Sequence, residues 1–351
     1  MEFHPIMLTF RETKFMIKIG VIGIGRMGKI HLENLSKNIE GAKVITAVNP
    51  GNEGQNFALQ NSVTNVSNNI DSIINNSEID AVVICSPSNT HSEYAIKAAK
   101  AGKAIFCEKP IDMSLEKANE TISLISQLNV PIMIGFNQRF DKNFSKAKDE
   151  ISNGKIGLMR NLHIISRDPQ PPPISYIKKS GGLFKDMTIH DFDMARFIMG
   201  SEVVEVFAYG NCLIDSAIGK AGDIDSATVL LKCKNNALAT IENSREAKYG
   251  YDQRLEVFGS KGVIKVENPL RSSVITSTKT GTESDRHLNF FMDRYKSSYL
   301  EEMQCFINAL INNKPMPVSG EDGIKAMIIA EAANRSLMQN RPIKVDSIKL
   351  N

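Results

Sequence analysis

The chain has little that would tie it to a disulfide scaffold, a metal centre, a polyanion or a membrane. Its five cysteines (Cys85, Cys107, Cys212, Cys233 and Cys305) are odd in number, widely scattered and never spaced Cys-x-x-Cys. That pattern suggests neither a disulfide framework nor a zinc site and fits a reducing cytoplasm best. Lys and Arg number 42 against 39 Asp and Glu, a net charge of +3, so no large field of one sign is expected and nucleic acid is excluded as the main partner. No apolar run is long enough to span a membrane. Residues 1–15 lack the apolar core of a secretory signal, and their Glu2 and Glu12 are unlike a transit peptide. They read as an N-terminal extension ahead of Met16-Ile17-Lys18-Ile19-Gly20, which looks like the beginning of a first strand. The remaining composition, 42% hydrophobic and 23% charged over 351 residues, is that of a globular protein of about two domains.

What is present is first a repeated theme. Short apolar runs at Ile17–Ile22, Val44–Val48, Asp80–Cys85, Ala104–Cys107 and Pro131–Phe136 alternate with helical patterns near residues 28–35, 92–101 and 114–127. Strands alternating with helices predict right-handed βαβ units and a parallel sheet. The asparagine-rich stretch from Asn61 to Asn76 carries no strand that the pattern can place. Between the first strand and the first helix stands Gly23-Ile24-Gly25-Arg26-Met27-Gly28. In this context the first glycine permits a tight turn, the second lets the backbone approach a pyrophosphate, and the third lets helix and strand pack closely. A glycine-rich turn without a ligand is the plain alternative, but the strand–turn–helix setting favours a dinucleotide. The second strand ends in Asn49-Pro50-Gly51, where an acidic residue would bind the ribose and repel a 2′-phosphate. Asn49 can still bond a ribose hydroxyl, yet it carries no repelling charge, so the lean is towards NAD with NADP left open.

The second theme is chemical. Asp186, His190 and Asp193, spaced by four and three, would share one face of a single helix that also carries Met187, Ile189, Phe192, Met194, Phe197 and Ile198 for burial. A histidine between carboxylates suits proton transfer near neutral pH; a surface ion pair is the bland alternative. The same three residues have metal-ligand spacing, but no His or Cys cluster completes a shell, and no metal is expected. After the strand ending at Cys107 comes Glu108-Lys109-Pro110, at a strand carboxyl end, where such sheets line the ligand crevice. Lys109 there is placed to donate to an alcohol or carbonyl oxygen. His31, on the first helix, reads as a packing residue.

Together these motifs resemble the glucose–fructose oxidoreductase / inositol dehydrogenase family (Gfo/Idh/MocA). The likeness covers nearly the whole chain from Met16 and includes the glycine motif, Ser86-Pro87-Ser88-Asn89-Thr90-His91, Glu108-Lys109-Pro110 and Asp186 through Asp193. Ser166-Arg167-Asp168-Pro169, the proline-rich run to Tyr176, Gly181-Gly182 and Lys248-Tyr249-Gly250-Tyr251-Asp252 look most like its inositol 2-dehydrogenase branch. The resemblance implies Lys109, Asp186 and His190 as a catalytic trio. It implies Ser86, Asn89, His91, Glu108 and Lys109 beside the cofactor, and Asp168, Asp193, Tyr251 and Tyr299 among the contacts to a polyol. Asn49 departs from the aspartate usual in that branch. Implied too are oxidation of a cyclitol, most closely myo-inositol, and a homodimer or homotetramer. Sibling enzymes acting on a sugar or on scyllo-inositol, and a dinucleotide-binding regulator without turnover, remain as alternatives.

The expected architecture is α/β plus α+β: a Rossmann NAD(P)-binding domain over residues 16–138 and a substrate-binding and oligomerisation domain over 139–351. In the latter, strands near Leu162–Ser166, Val203–Gly210, Ala227–Lys232, Ala237–Glu242, Leu255–Gly259 and Gly262–Val266 predict a mainly antiparallel sheet. Helices near 186–199 and 298–311 would cover it, and a final helix near 323–339 would return to the first domain.

Overall fold

The computed structural model describes residues 16–350; the extension expected over residues 1–15 lies outside the described residues. The first part runs β1 (Ile17–Ile22), α1 (Arg26–Lys37), β2 (Ala42–Val48), α2 (Asn52–Gln60), β3 (Asn65–Ser67), α3 (Asp71–Ile74), β4 (Ala81–Ile84), α4 (His91–Lys100), β5 (Ala104–Glu108), α5 (Leu115–Gln127) and β6 (Ile132–Gly135). The central strands β4 and β5 are buried at every residue, as strands covered on both faces must be. All pair in parallel in the order β3-β2-β1-β4-β5-β6. The order reverses between β1 and β4, so the crevice opens at the carboxyl ends of those strands. The asparagine-rich stretch supplies β3, a three-residue edge strand on β2 with no fully buried residue. It therefore carries no apolar signature.

The second part runs α6 (Lys142–Ser152), β7 (Met159–Arg167), α7 (Ile174–Ser180), α8 (Leu183–Asp186), α9 (Thr188–Met199), β8 (Val203–Asn211), α10 (Ser216–Lys220), β9 (Ser226–Cys233), β10 (Leu238–Ser244), β11 (Asp252–Gly259), β12 (Val263–Val266), β13 (Ile275–Thr278), β14 (Gly281–Ser284), α11 (Phe291–Arg294), α12 (Lys296–Ile311), α13 (Gly320–Gln339) and β15 (Ile343–Lys344). Seven strands form one sheet, β12-β11-β7-β10-β9-β8-β15. Every pair is antiparallel except β7 with β10. That pair is parallel because the chain leaves β7 through four helices and two strands before it returns, the long crossover that parallel neighbours require.

Alternation along β9 sends Ala227, Val229, Leu231 and Cys233 inward. The inner face is covered by α9 and α13, and α13 also reaches α5 and β6 while α12 packs on α1. The returning C-terminal helices thus clamp the second part to the first. Among the described residues no helix lies over the outer face, which exposes Tyr209, Leu230, Leu238, Phe258 and Val263.

Candidate active site

The glycine turn has the mechanics its spacing predicts. Gly23 has φ +86°, and a Cβ there would come within 2.5 Å of the Ser86 nitrogen. A Cβ on Gly28 would meet the Gly23 carbonyl at 1.9 Å, whereas one on Gly25 would meet nothing within 4 Å. Tight packing on one side and open space on the other suit a backbone that a diphosphate approaches. Gly25 precedes α1, and no side chain caps that helix end, so its free N–H groups and dipole favour an anion. Ile24, Gly25, Arg26, Asn49 and Glu53 line a cleft of about 700 Å³. These residues fit a dinucleotide.

Asn49 stands at the mouth of that cleft with its amide already engaged. Its Oδ1 accepts the Ile24 N–H at 2.9 Å, and its Nδ2 donates to the Gly51 carbonyl at 2.8 Å. It therefore ties the glycine turn to the loop after β2. Lys29 and Glu53 form an ion pair on the same cleft. Ser86 bonds the Thr90 hydroxyl at 2.7 Å, and Asn89 is exposed on the turn before α4.

Two expected cofactor contacts, His91 and Glu108, have their side chains engaged within the protein. His91 is buried, with Nδ1 on the Pro110 carbonyl at 2.7 Å and Nε2 on the Ser86 carbonyl at 2.8 Å. Both nitrogens are spent on joining the end of β4 to the turn after β5. Glu108 is buried and bonds His31 Nε2 at 2.7 Å; its carboxylate serves the α1 packing. Tyr299 packs edge-on against that same His31 at 5.8 Å between ring centres. Its surroundings include Glu108 and Glu302, so its placement gives no support to a polyol contact.

The substrate side is built on a broken helix. Asp186 ends α8, Met187 forms a one-residue turn that stays in the right-handed region at φ −101° and ψ −61°, and His190 lies in the first turn of α9. One continuous helix was expected, and the break has a visible partner: the Asp186 carbonyl accepts Lys109 Nζ at 2.8 Å. A carbonyl at a helix end is free to take such a donor. The Asp186 carboxylate accepts the Tyr176 hydroxyl at 2.8 Å and Arg245 Nη1 at 3.1 Å. Burial, with the Lys109 ammonium second, holds the His190 imidazole well below the ordinary histidine range, so the ring is neutral at pH 7. Its Nδ1 has no partner. The residues flanking His190 are bolted down: the Thr188 hydroxyl donates to Asn243 Oδ1 at 2.8 Å, and Asn243 Nδ2 donates to Asp191 at 2.7 Å.

Asp168, at the end of β7, joins this group. Burial raises its carboxyl to about 6, opposed by Arg245 and Lys109 and reinforced by Asp186. Tyr251 is buried edge-on to Tyr295 at 6.1 Å and faces Asp168. Asp193 likewise has its side chain engaged within the protein. Both of its oxygens are held by Arg139, at 2.7 and 2.5 Å, and Arg139 also meets Asp322 at 3.1 Å. Through Arg139, Asp193 joins α9 to the C-terminal helix α13. Arg245 was not legible as a site residue. A buried arginine looks like any other in sequence, and its only signal was its position just beyond a strand.

A glycine cradle at a topological switch point, facing a lysine, a neutral histidine and carboxylates, defines a dinucleotide-dependent oxidoreductase. Residues 17–136 match the family model described as the oxidoreductase family with an NAD-binding Rossmann fold, and residues 144–265 match the GFO/IDH/MocA C-terminal domain. The chain is 47% identical over 334 residues to a myo-inositol 2-dehydrogenase of Thermotoga maritima, covering 95% of this chain and 99% of the relative. It is 43% identical to an inositol 2-dehydrogenase of Rhizobium meliloti, covering 94% and 99%. A crystal structure of a probable dehydrogenase from Thermotoga maritima superposes with a TM-score of 0.93 at 46% identity, covering 95% of this chain and all of that one. The chain belongs to the Gfo/Idh/MocA family of NAD-binding oxidoreductases.

Proposed function

We propose that the protein is an NAD-dependent inositol 2-dehydrogenase that oxidises one secondary hydroxyl of myo-inositol to the ketone. The observation that carries this reading is the meeting of Lys109, Asp186 and His190 beside the glycine cradle, with Lys109 Nζ seated on the Asp186 carbonyl. Two inositol dehydrogenases with more than 40% identity over nearly their full length support the substrate.

Bound NAD supplies the hydride acceptor for the carbon-bound hydrogen. The chain does the rest. Neutral His190 takes the hydroxyl proton as general base. Lys109 keeps one N–H on Asp186 and donates another to the oxygen as it gains negative charge. Asp186 and Asp168 accept from neighbouring hydroxyls and orient the ring. A neutral polyol needs such paired donors and acceptors and no basic pocket.

The active form is a homodimer or homotetramer paired through the uncovered sheet face, a reading supported by exposed Tyr209, Leu230, Leu238 and Phe258. A cytoplasmic setting is supported by five cysteines free of disulfides. Among the described residues no helix is long and apolar enough to cross a membrane. A panel of inositols and sugars assayed with NAD and NADP tests the reaction. Myo-inositol with NAD is expected to give the highest kcat/KM, with Lys109→Ala and His190→Ala each lowering it at least roughly 100-fold. Wild-type rates in both variants, or no turnover of any polyol, would refute it.

A further inference from the structure

The buried guanidinium of Arg245 has no part in the mechanism above. Arg245 is 1% exposed and stands just past the end of β10, its own N–H bonded to the Asp225 carbonyl at 2.8 Å. Its Nη1 meets the Asp186 carboxylate at 3.1 Å, and its Nη2 faces Asp223 Oδ2 at 3.7 Å. Nε and Nη2 have no hydrogen-bond partner, and neither does Asp223 Oδ2. The other oxygen of Asp223 accepts the N–H of Leu183, the first residue of α8, at 2.9 Å. Asp186 is the last residue of α8, and its carbonyl carries Lys109.

One guanidinium therefore faces both ends of the four-residue helix that presents the reacting groups. An isolated buried cation is costly, so a site that retains one between two carboxylates holds all three in register. Buried Leu183 and Phe184 seat the apolar side of this short helix in the core, and Arg245 holds its polar side. The charged and titratable groups around Asp186 are Lys109 from the end of β5, Asp168 from the end of β7, Tyr176 from α7, His190 from α9 and Arg245 itself. Of these, Lys109 and Arg245 are the cations that keep Asp168 ionised.

We propose that Arg245 is a positioning residue for the oxidation: it grips α8 at Asp186 directly and at Leu183 through Asp223, and so sets the Asp186 carboxylate and the Lys109 ammonium in the crevice. The proposal rests on the inositol-oxidation reading.

Its test is steady-state kinetics of the full chain with myo-inositol and NAD from pH 5 to 9, alongside NADH affinity by fluorescence titration. Arg245→Gln should lower kcat/KM roughly 100-fold, while the NADH Kd stays within about twofold because Arg245 touches no cofactor residue. The acid limb should move to higher pH, since Asp168 loses a cation. Arg245→Lys should return the limb towards the wild-type position but recover only part of the rate, because an ammonium lacks the planar fork. Asp223→Asn should lower kcat with the limb unmoved. A folded Arg245→Gln enzyme with an unmoved limb and wild-type kcat/KM would overturn the proposal. If that variant does not fold, wild-type kinetics in both Arg245→Lys and Asp223→Asn would overturn it equally. Absence of polyol turnover by the wild-type enzyme would instead defeat the inositol reading and this proposal with it, whereas wild-type turnover with indifferent variants defeats the proposal alone.

Discussion

Replacing Asp168 by Asn should make the protein more stable at neutral pH while weakening its hold on substrate. Burial lifts this carboxyl from 3.8 to about 6 despite the nearby Arg245 and Lys109. A carboxyl raised on folding contributes stability that is fully present below the unfolded value, near 3.8, and is lost as pH rises through about 6. Above that window the folded state carries an ionised group in a poor environment. The shift is roughly two pH units, and at about 1.4 kcal/mol for each the cost is at most about 3 kcal/mol. Asparagine keeps the shape and removes the charge. With an unfolding entropy of about 2.1 cal/mol/K per residue, 3 kcal/mol in a chain of 351 residues is a Tm rise of about 4 °C. Thermal melts of the two proteins from pH 4 to pH 8 should coincide near pH 4 and separate progressively to pH 7. The same variant should raise KM for inositol more than it lowers kcat, because a hydroxyl loses a charged acceptor. A Tm gap that does not change with pH, or a variant less stable than wild type at pH 7.5, would refute the assignment of Asp168 as a strained carboxylate held for ligand.

Lys109→Met removes a cation that holds His190 below the ordinary histidine range. The residual activity should therefore show an acid limb at higher pH than wild type, read from kcat/KM against pH. Asn49→Asp should raise the kcat/KM preference for NAD over NADP by roughly tenfold or more. It also sets a carboxylate oxygen against the Gly51 carbonyl that Asn49 now bonds, so a melt should show a loss on the order of 1 kcal/mol. Asp193→Asn should leave KM for inositol unchanged but cost roughly 3 kcal/mol in denaturant unfolding, because buried Arg139 keeps only Asp322 as a full countercharge. A large KM change with unchanged stability would return Asp193 to the substrate set.

Much of the first half was legible because its physics is local. A buried parallel strand needs an unbroken apolar run, and a diphosphate turn needs glycine at Gly23, Gly25 and Gly28; both leave marks in consecutive residues. The family motifs placed Lys109, Asp186 and His190 in one site for the same reason. The second sheet was readable strand by strand, but the parallel pairing of β7 with β10 was not. Partner choice there depends on a crossover through helices that carry no register information.

The internal partners of three expected site residues were not legible, for one reason. His91, Glu108 and Asp193 are polar groups near motif positions, and sequence cannot say which way such a group faces. Tertiary structure turned His91 onto two carbonyls, Glu108 onto His31, and Asp193 onto Arg139. A buried polar group must bond whatever the fold brings within about 3 Å, and those partners lie up to 77 residues away in the chain. Sequence by itself determined the dinucleotide fold, the family and the grouping of Lys109, Asp186 and His190. Only the tertiary structure decided that the helix is interrupted at Met187, that the Asp186 carbonyl there takes Lys109, and that Arg245, distant in sequence, closes on the Asp186 carboxylate.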